Sequence, residues 1–255
     1  MSTILPTSAK LRQLVADYVT DSRNIAQQSL AVAESSLAFQ EIYQISLTTY
    51  TILGNLSSRT LRPPLTPARN VAVRVPILVS VGQASVAQVE LRRFVELIAW
   101  AVYFTDHPVE WKVFTNQPRT GFAQDMRKPI SYAAHRELGF YLEYARELME
   151  PEPSGLGIKA VDNVKQAVRL LNAAVHAGEM AKASGKIPPH DDMSEQSLRG
   201  FAKIHRLTFS SCSLLLAAFH RNKFDQLNAV SRASFDWLIG ATLRREVRKG
   251  PFGLP

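Results

Sequence analysis

Arg169 and His176 stand seven residues apart in the segment 161–176, VDNVKQAVRLLNAAVH, with Asn172 between them. At 3.6 residues per turn, seven residues make about two turns, so a helix presents all three side chains on one face. A guanidinium is a fixed cation suited to phosphate, and an imidazole takes or gives a proton near neutral pH. Side by side, such groups bind or cleave a phosphodiester. The plainer alternative is a solvated stripe, which every amphipathic helix has.

The element that must position them is a helix from about Ile158 to Ala183. Val161, Val164, Val168, Leu171 and Val175 alternate at three and four residues, the buried seam of a packed helix. Arg169 and His176 lie away from the centre of that seam, near Lys165, Asn172 and Glu179. They are expected outside the core, so a catalytic site built on them needs a further wall, such as a second subunit.

A second constellation sits in the segment 91–104, LRRFVELIAWAVYF, where Glu96 is the only charge among the eleven residues from Phe94 onward. Burying an unpaired carboxylate costs several kcal/mol, and Arg92, one turn earlier, is its natural partner. Arg before Glu is the weaker order for an exposed pair, so a surface salt bridge explains the pattern poorly. Arg92 and Glu96 are expected to form a structural buried pair lining the same cleft as His176.

Other chemistry is thinner. Cys212 has His205 two turns before it, but its apolar neighbours SSCSLLLAAF make it a core thiol. His190, Asp191 and Asp192 lack a second ligand pair, and Asp192 with Glu195 reads as a capping box. The stretch His220 to Lys223 reads as a basic loop. With no phosphate-cradling Gly loop, nucleophile elbow or zinc spacing, no metal and no cofactor is expected.

Composition bounds these options. A chain of 255 residues, 46% hydrophobic, buries a sizeable core and is expected to form one all-α helical domain over 1–255. The formal charge of +8 and pI near 9.7 point to an anionic partner, nucleic acid first and an acidic protein next. No acidic residue falls between Glu41 and Glu90, whereas Arg59, Arg62, Arg69 and Arg74 do, a basic block expected to contact nucleic acid. Arg244, Arg245, Arg248 and Lys249 complement a helix C-terminus. No apolar run approaches the roughly 18 residues of a membrane span, no secretory leader is apparent, and a single cysteine fits a reducing compartment. These features predict a cytoplasmic protein without a membrane partner.

Along the chain, Thr7 or Ser8 caps a helical pattern reaching Gly54 and Asn55, read as two helices or one long bent one, with Asp21 to Asn24 or Ser35 and Ser36 as candidate breaks, although Leu30, Leu37, Ile42, Ile45 and Leu47 keep a helical spacing across the second. Pro63, Pro64, Pro67 and Pro76 predict a Pro/Arg-rich connector over 57–76 between the N-terminal helices and the main bundle. As a docking arm, that connector would suit a scaffold. Val71, Val73, Val75, Ile77, Val79 and Val81 alternate like a strand, but no second strand exists to pair with them. Helices are expected over about 76–105, 130–149, 158–183, 194–220 and 224–248, a bundle of about six in all.

The motif Arg169 to His176 resembles that of the HEPN superfamily of helical bundles, whose active members carry Arg, four to six residues, then His. Leu170 departs from the polar residue usual after that Arg. Bacterial helical-bundle proteins with Arg-x3-Glu, an aromatic Asp-x-Pro helix end and a late Val-His are matched in order by Arg92, Glu96, Tyr103, Asp106, Pro108, Val175 and His176. The resemblance covers roughly the middle third of the chain. It implies a HEPN-like fold and a metal-independent ribonuclease or RNA-binding protein working as a homodimer, of the kind found in prokaryotic defence and toxin–antitoxin systems. It also implies roles: His176 as general acid or base, Arg169 meeting the charge that develops on the phosphorane, Asn172 orienting phosphate or imidazole. The competing expectation is a non-catalytic helical scaffold mediating protein–protein association; a small-molecule enzyme using the Glu96 cleft ranks last.

Overall fold

Among the described residues no strand occurs, and the helices of more than ten residues are eight: α1 (Ser8–Ser35), α2 (Leu37–Leu56), α3 (Arg62–Ser80), α4 (Ala84–Asp106), α5 (Leu138–Met149), α6 (Leu156–Ala183), α7 (Glu195–Phe219) and α8 (Ala229–Lys249). The computed structural model describes residues 8–56, 62–110, 137–149, 155–183, 193–220, 224 and 226–249. At 8, 9, 11, 14, 62–64, 149, 156, 174–183 and 241–249 it describes the backbone alone. The expected loop at Trp111, Phe114 and Pro118 and the helix start at 130 lie outside the described residues. So do His190, Asp191, Asp192 and residues 221–223.

Two helices are apolar nearly all round through their second halves and take the centre, as such segments must. α4 buries Ala87, Leu91 and almost every residue from Phe94 to Phe104, and α7 buries Leu198, Phe201, Ala202 and then Thr208 through Ala217. α4 packs on α3, α5, α6 and α7, while α7 packs on α2, α6 and α8. The buried residues form a single core, from Ala38 on α2 to Ile239 on α8. Phe94 and Phe209 meet edge to face in it, with ring centroids 4.5 Å apart. α1 packs lightly on α2 and α3.

The connector expected over 57–76 is corrected by α3, which is helical from Arg62 and packs on both α2 and α4. Pro63 and Pro64 fall in its first turn, where backbone N–H groups have no intrahelical acceptor and proline costs nothing. Pro67 and Pro76 lie inside, tolerated because Leu65, Ala68, Val71, Ala72, Val75 and Val79 are all buried. The strand-like valine alternation is thus the overlap of that buried stripe with exposed Val73 and Ile77 on the opposite face.

The expected helix from 76 to 105 is likewise two helices. α3 ends in a Schellman motif, with Gly82 at φ 76°, its N–H on the Val79 carbonyl (3.0 Å) and the Gln83 N–H on that of Leu78 (2.9 Å). Only then does α4 begin. With the α1–α2 break at Ser36, these boundaries raise the count of long helices from about six to eight among the described residues. Ser36 caps α2, its Oγ accepting from the Phe39 N–H at 3.1 Å. At α7 the cap is Ser194 rather than Asp192, accepting from the Ser197 N–H at 3.3 Å. The last helix starts at Ala229, not 224, and bends at Gly240, where φ is 79°. No helix among the described residues is long and apolar enough to cross a membrane.

Candidate functional site

Helical spacing brings the two sequence-distant constellations to one place. α4 presents Arg92, Glu96 and Trp100 at i, i+4 and i+8, and α6 presents Lys165, Val168, Arg169 and Asn172 on the facing side. The start of α5 closes the space with Glu137, Leu138, Leu142 and Glu143. The result is an open cleft of about 680 Å³, with Trp100, Leu138, Leu142 and Val168 as its apolar surface and charges around them.

One hydrogen bond ties the halves together: Arg92 Nε donates to Asn172 Oδ1 at 3.1 Å, across 80 residues of sequence. Because Nε can only donate, the Asn172 oxygen must face it, and the amide NH₂ remains a donor toward the cleft. Arg92 Nη1 also lies 3.0 Å from Glu96 Oε1, but off the hydrogen-bond direction, so this contact is an ion pair without a directed bond. Their side chains are 24% and 38% exposed. The expected buried pair is corrected to a half-buried one on a cleft wall, because the side of α4 bearing Arg92 and Glu96 faces the gap between α5 and α6 rather than α7.

Lys165 Nζ meets Glu143 Oε1 at 2.5 Å. The Lys165 hydrogen bond, opposed by desolvation and helped by the weaker Lys165 and Arg146 charges, holds the Glu143 carboxyl below its ordinary value. Arg169 is exposed on the cleft, and no described residue pairs with it. Three cations therefore stand among three carboxylates, with Arg92 and Lys165 already engaged. What the cleft offers a ligand is the Arg169 guanidinium and the Asn172 amide. The backbone of His176 lies two turns further along α6, within the helix; its side chain lies outside the described residues.

Arg69 and Arg74 of the basic block do not line this cleft. Arg69 is stacked over the Tyr50 ring, 4.1 Å from its centroid, and fills the space left by the missing Cβ of Gly54. Arg74 pairs with Glu90 at 3.3 Å, the acid that ends the acid-free interval. Five residues apart, the two point about 140° from one another around α3. Arg59 and the side chain of Arg62 lie outside the described residues.

His205 and Cys212 do not meet as a thiol–imidazole pair. Both are fully buried, and burial pushes the Cys212 thiol up and the His205 imidazole down to about 3. His205 Nε2 lies 3.0 Å from Ser46 Oγ, while Nδ1 has no partner. A proton on Nδ1 would be an orphan donor, so the neutral ring carries it on Nε2 and donates to Ser46.

At the end of α4, Tyr103 stacks on His107 with centroids 4.0 Å apart and donates to Glu110 Oε2 at 2.8 Å. Tyr144 donates to Asp106 Oδ2 at 3.1 Å, and burial with the Asp106 charge raises its phenol to about 12. The Tyr144–Asp106 bond and the Tyr103 ring, packed edge-on against Phe140, Tyr141 and Tyr144, latch α5 onto α4.

Sequence reasoning missed Trp100, Glu137 and Glu143. Trp100 was findable, since it extends Arg92 and Glu96 by one further i+4 step; Glu137 and Glu143 depend on how α5 docks. No group of three His, Cys, Asp or Glu among the described residues is arranged to hold a metal ion. Compared with protein-family models, curated proteins and solved structures, the chain matches none.

Proposed function

We propose that the chain is a HEPN-like RNA-binding protein of the metal-independent ribonuclease type, with the α4–α5–α6 cleft as the place where RNA is held. The observation that carries this reading is the convergence of Arg92, Glu96, Arg169 and Asn172 on one cleft, tied by the Arg92–Asn172 hydrogen bond. Arg169 is the cleft cation left for a phosphate, and the Asn172 amide is the neighbouring donor. In the cleavage step a ribose 2′-oxygen attacks the adjacent phosphorus, its proton passing to a base, and the 5′-oxygen leaves with a proton. His176 is the group assigned to that proton traffic, and Arg169 meets the negative charge gained by the phosphoryl oxygens. A cellular role in prokaryotic defence or a toxin–antitoxin pair belongs to the same reading.

The test is a cleavage assay on single-stranded RNA without metal, beside fluorescence anisotropy for binding. His176→Ala is expected to lower cleavage by about 10²-fold or more with binding retained, and Arg169→Ala to weaken both. Binding without cleavage by the unaltered chain leaves an RNA-binding protein. Loss of neither property in either variant removes the cleft from the reaction.

A second reading, a non-catalytic helical scaffold, is favoured by one observation: the cleft is charge-balanced, with Arg92 and Lys165 held by Glu96 and Glu143. That reading requires no RNA binding at moderate salt by the unaltered chain.

A further inference from the structure

A groove of about 470 Å³ runs between α2 and α3, flanked by Leu30 of α1. Tyr43, Leu47, Val73 and Ile77 stand half-exposed along it. Contiguous exposure of large apolar side chains marks a binding surface, and small-molecule sites are mostly apolar with a few placed polar groups. Residues 57–61 join α2 to α3, too short a span to return along α3, so the pair is antiparallel. The contact of Arg69 with Tyr50 sets the register. The groove therefore runs from Tyr50, beside Arg69, to Phe39, beside Ser80. From Phe39 to Tyr50, at about 1.5 Å per residue, it is roughly 16 Å long.

The two serines of the lining differ. At the Phe39 end, Ser80 donates to the Ile77 carbonyl at 2.8 Å, so its hydrogen is taken. Ser46, buried one turn from Tyr50, accepts from His205 Nε2 at 3.0 Å, and its own hydrogen has no acceptor among the described residues. Arg69 holds its guanidinium carbon 4.1 Å from the centroid of the Tyr50 ring. It makes no ion pair among the described residues, and its buried Nε has no hydrogen-bond partner there. Nor do the walls of the groove supply an acid, since no Asp or Glu falls between Glu41 and Glu90. Those two acids are themselves engaged, by Arg206 and Arg74. One end of the groove thus has a free donor and an unmatched cation beside it, while the other is walled by rings and aliphatic carbon.

We propose that this groove binds a single-chain fatty carboxylate, its tail along Phe39, Pro76 and Ile77 and its head toward Ser46 and Arg69. Charge and length select this occupant. Extended, a chain of about ten to twelve carbons spans the roughly 16 Å available. Its carboxylate accepts from the Ser46 hydroxyl and matches the Arg69 guanidinium, where apolar surroundings reduce screening by salt. A cationic amphiphile meets no acid here, and a neutral one leaves Arg69 unmatched. The proposal is independent of the RNA reading.

Isothermal titration calorimetry tests it on the full chain, with decanoate, decanol and decyltrimethylammonium well below any micelle concentration. Decanoate is expected to saturate a single site, decanol to bind about fivefold more weakly, as loss of one partly exposed ion pair would give, and decyltrimethylammonium more weakly still. Arg69→Met keeps an unbranched stem on Tyr50 but removes the charge. It should bring decanoate down to the affinity of decanol and leave decanol unchanged. Ile77→Glu, at an exposed position in the tail half, should weaken both ligands about tenfold or more with unchanged helical circular dichroism, because a carboxylate then lies under the alkyl chain. Leu47→Glu on the facing wall should do the same. No saturable binding of decanoate, decanol as tight as decanoate on the unaltered chain, or indifference to both glutamate substitutions overturns the proposal. So does an unaltered chain that binds no decanoate and self-associates in sedimentation equilibrium until Ile77→Glu separates it, which gives the groove to a second copy.

Discussion

Asn172 shows how one side chain serves two partners with opposite demands. Its oxygen holds Arg92, and its amide faces the cleft near Arg169. Asn172→Asp should keep or raise the melting temperature, because a carboxylate accepts from a guanidinium more strongly than an amide does. The same substitution places a negative charge where a phosphate is expected, so RNA binding should weaken; anisotropy and thermal melting on one variant read both signs. His205 gives a second residue-scale prediction. Its folded pKa of about 3 lies below the ordinary 6.5, so the folded state binds fewer protons than the unfolded one. The stability due to its neutrality is complete above pH 6.5 and is lost as pH falls toward 3, at up to about 1.4 kcal/mol per pH unit. Denaturant midpoints at pH 7, 6 and 5 should fall in the unaltered chain and fall less in His205→Gln, which cannot titrate.

At the scale of elements, the boundary between α3 and α4 depends on Gly82 in the left-handed region. Gly82→Ala should cost about 1–2 kcal/mol, the strain of a Cβ at that φ, measurable as a lower denaturant midpoint with unchanged helical content. This boundary also marks what the sequence could and could not convey. The seam of α6 was legible because three-and-four spacing is a direct image of a buried face, whereas the break at Ser36 was one of two candidates, hidden by apolar spacing that runs on across it. Pro63, Pro64, Pro67 and Pro76 misled because a proline's effect depends on its position relative to the first turn, which composition does not reveal. The Arg92–Glu96 pairing was legible as an i+4 step, but its half-exposed setting was not, since that depends on the gap between α5 and α6. The contact of Arg92 with Asn172 depends on how α4 crosses α6, and no local pattern encodes a crossing.

For the whole molecule, the formal charge of +8 and the balanced cleft act at different ranges. Surplus charge draws an anion toward the molecule at distances up to about a Debye length, near 8 Å at physiological salt. Inside the cleft, Arg92 and Lys165 are already matched, so close engagement of a phosphate rests on Arg169. The division can be measured as a salt slope. Each phosphate neutralised on a single strand contributes about −0.7 to the dependence of log binding constant on log salt. Arg169→Ala should therefore make the slope shallower by about 0.7 and weaken binding, whereas Arg74→Ala, whose cation already faces Glu90, should change the slope much less. A slope unmoved by Arg169→Ala would place any bound RNA on another face, and the convergence of four residues on this cleft would then be an element of the fold alone.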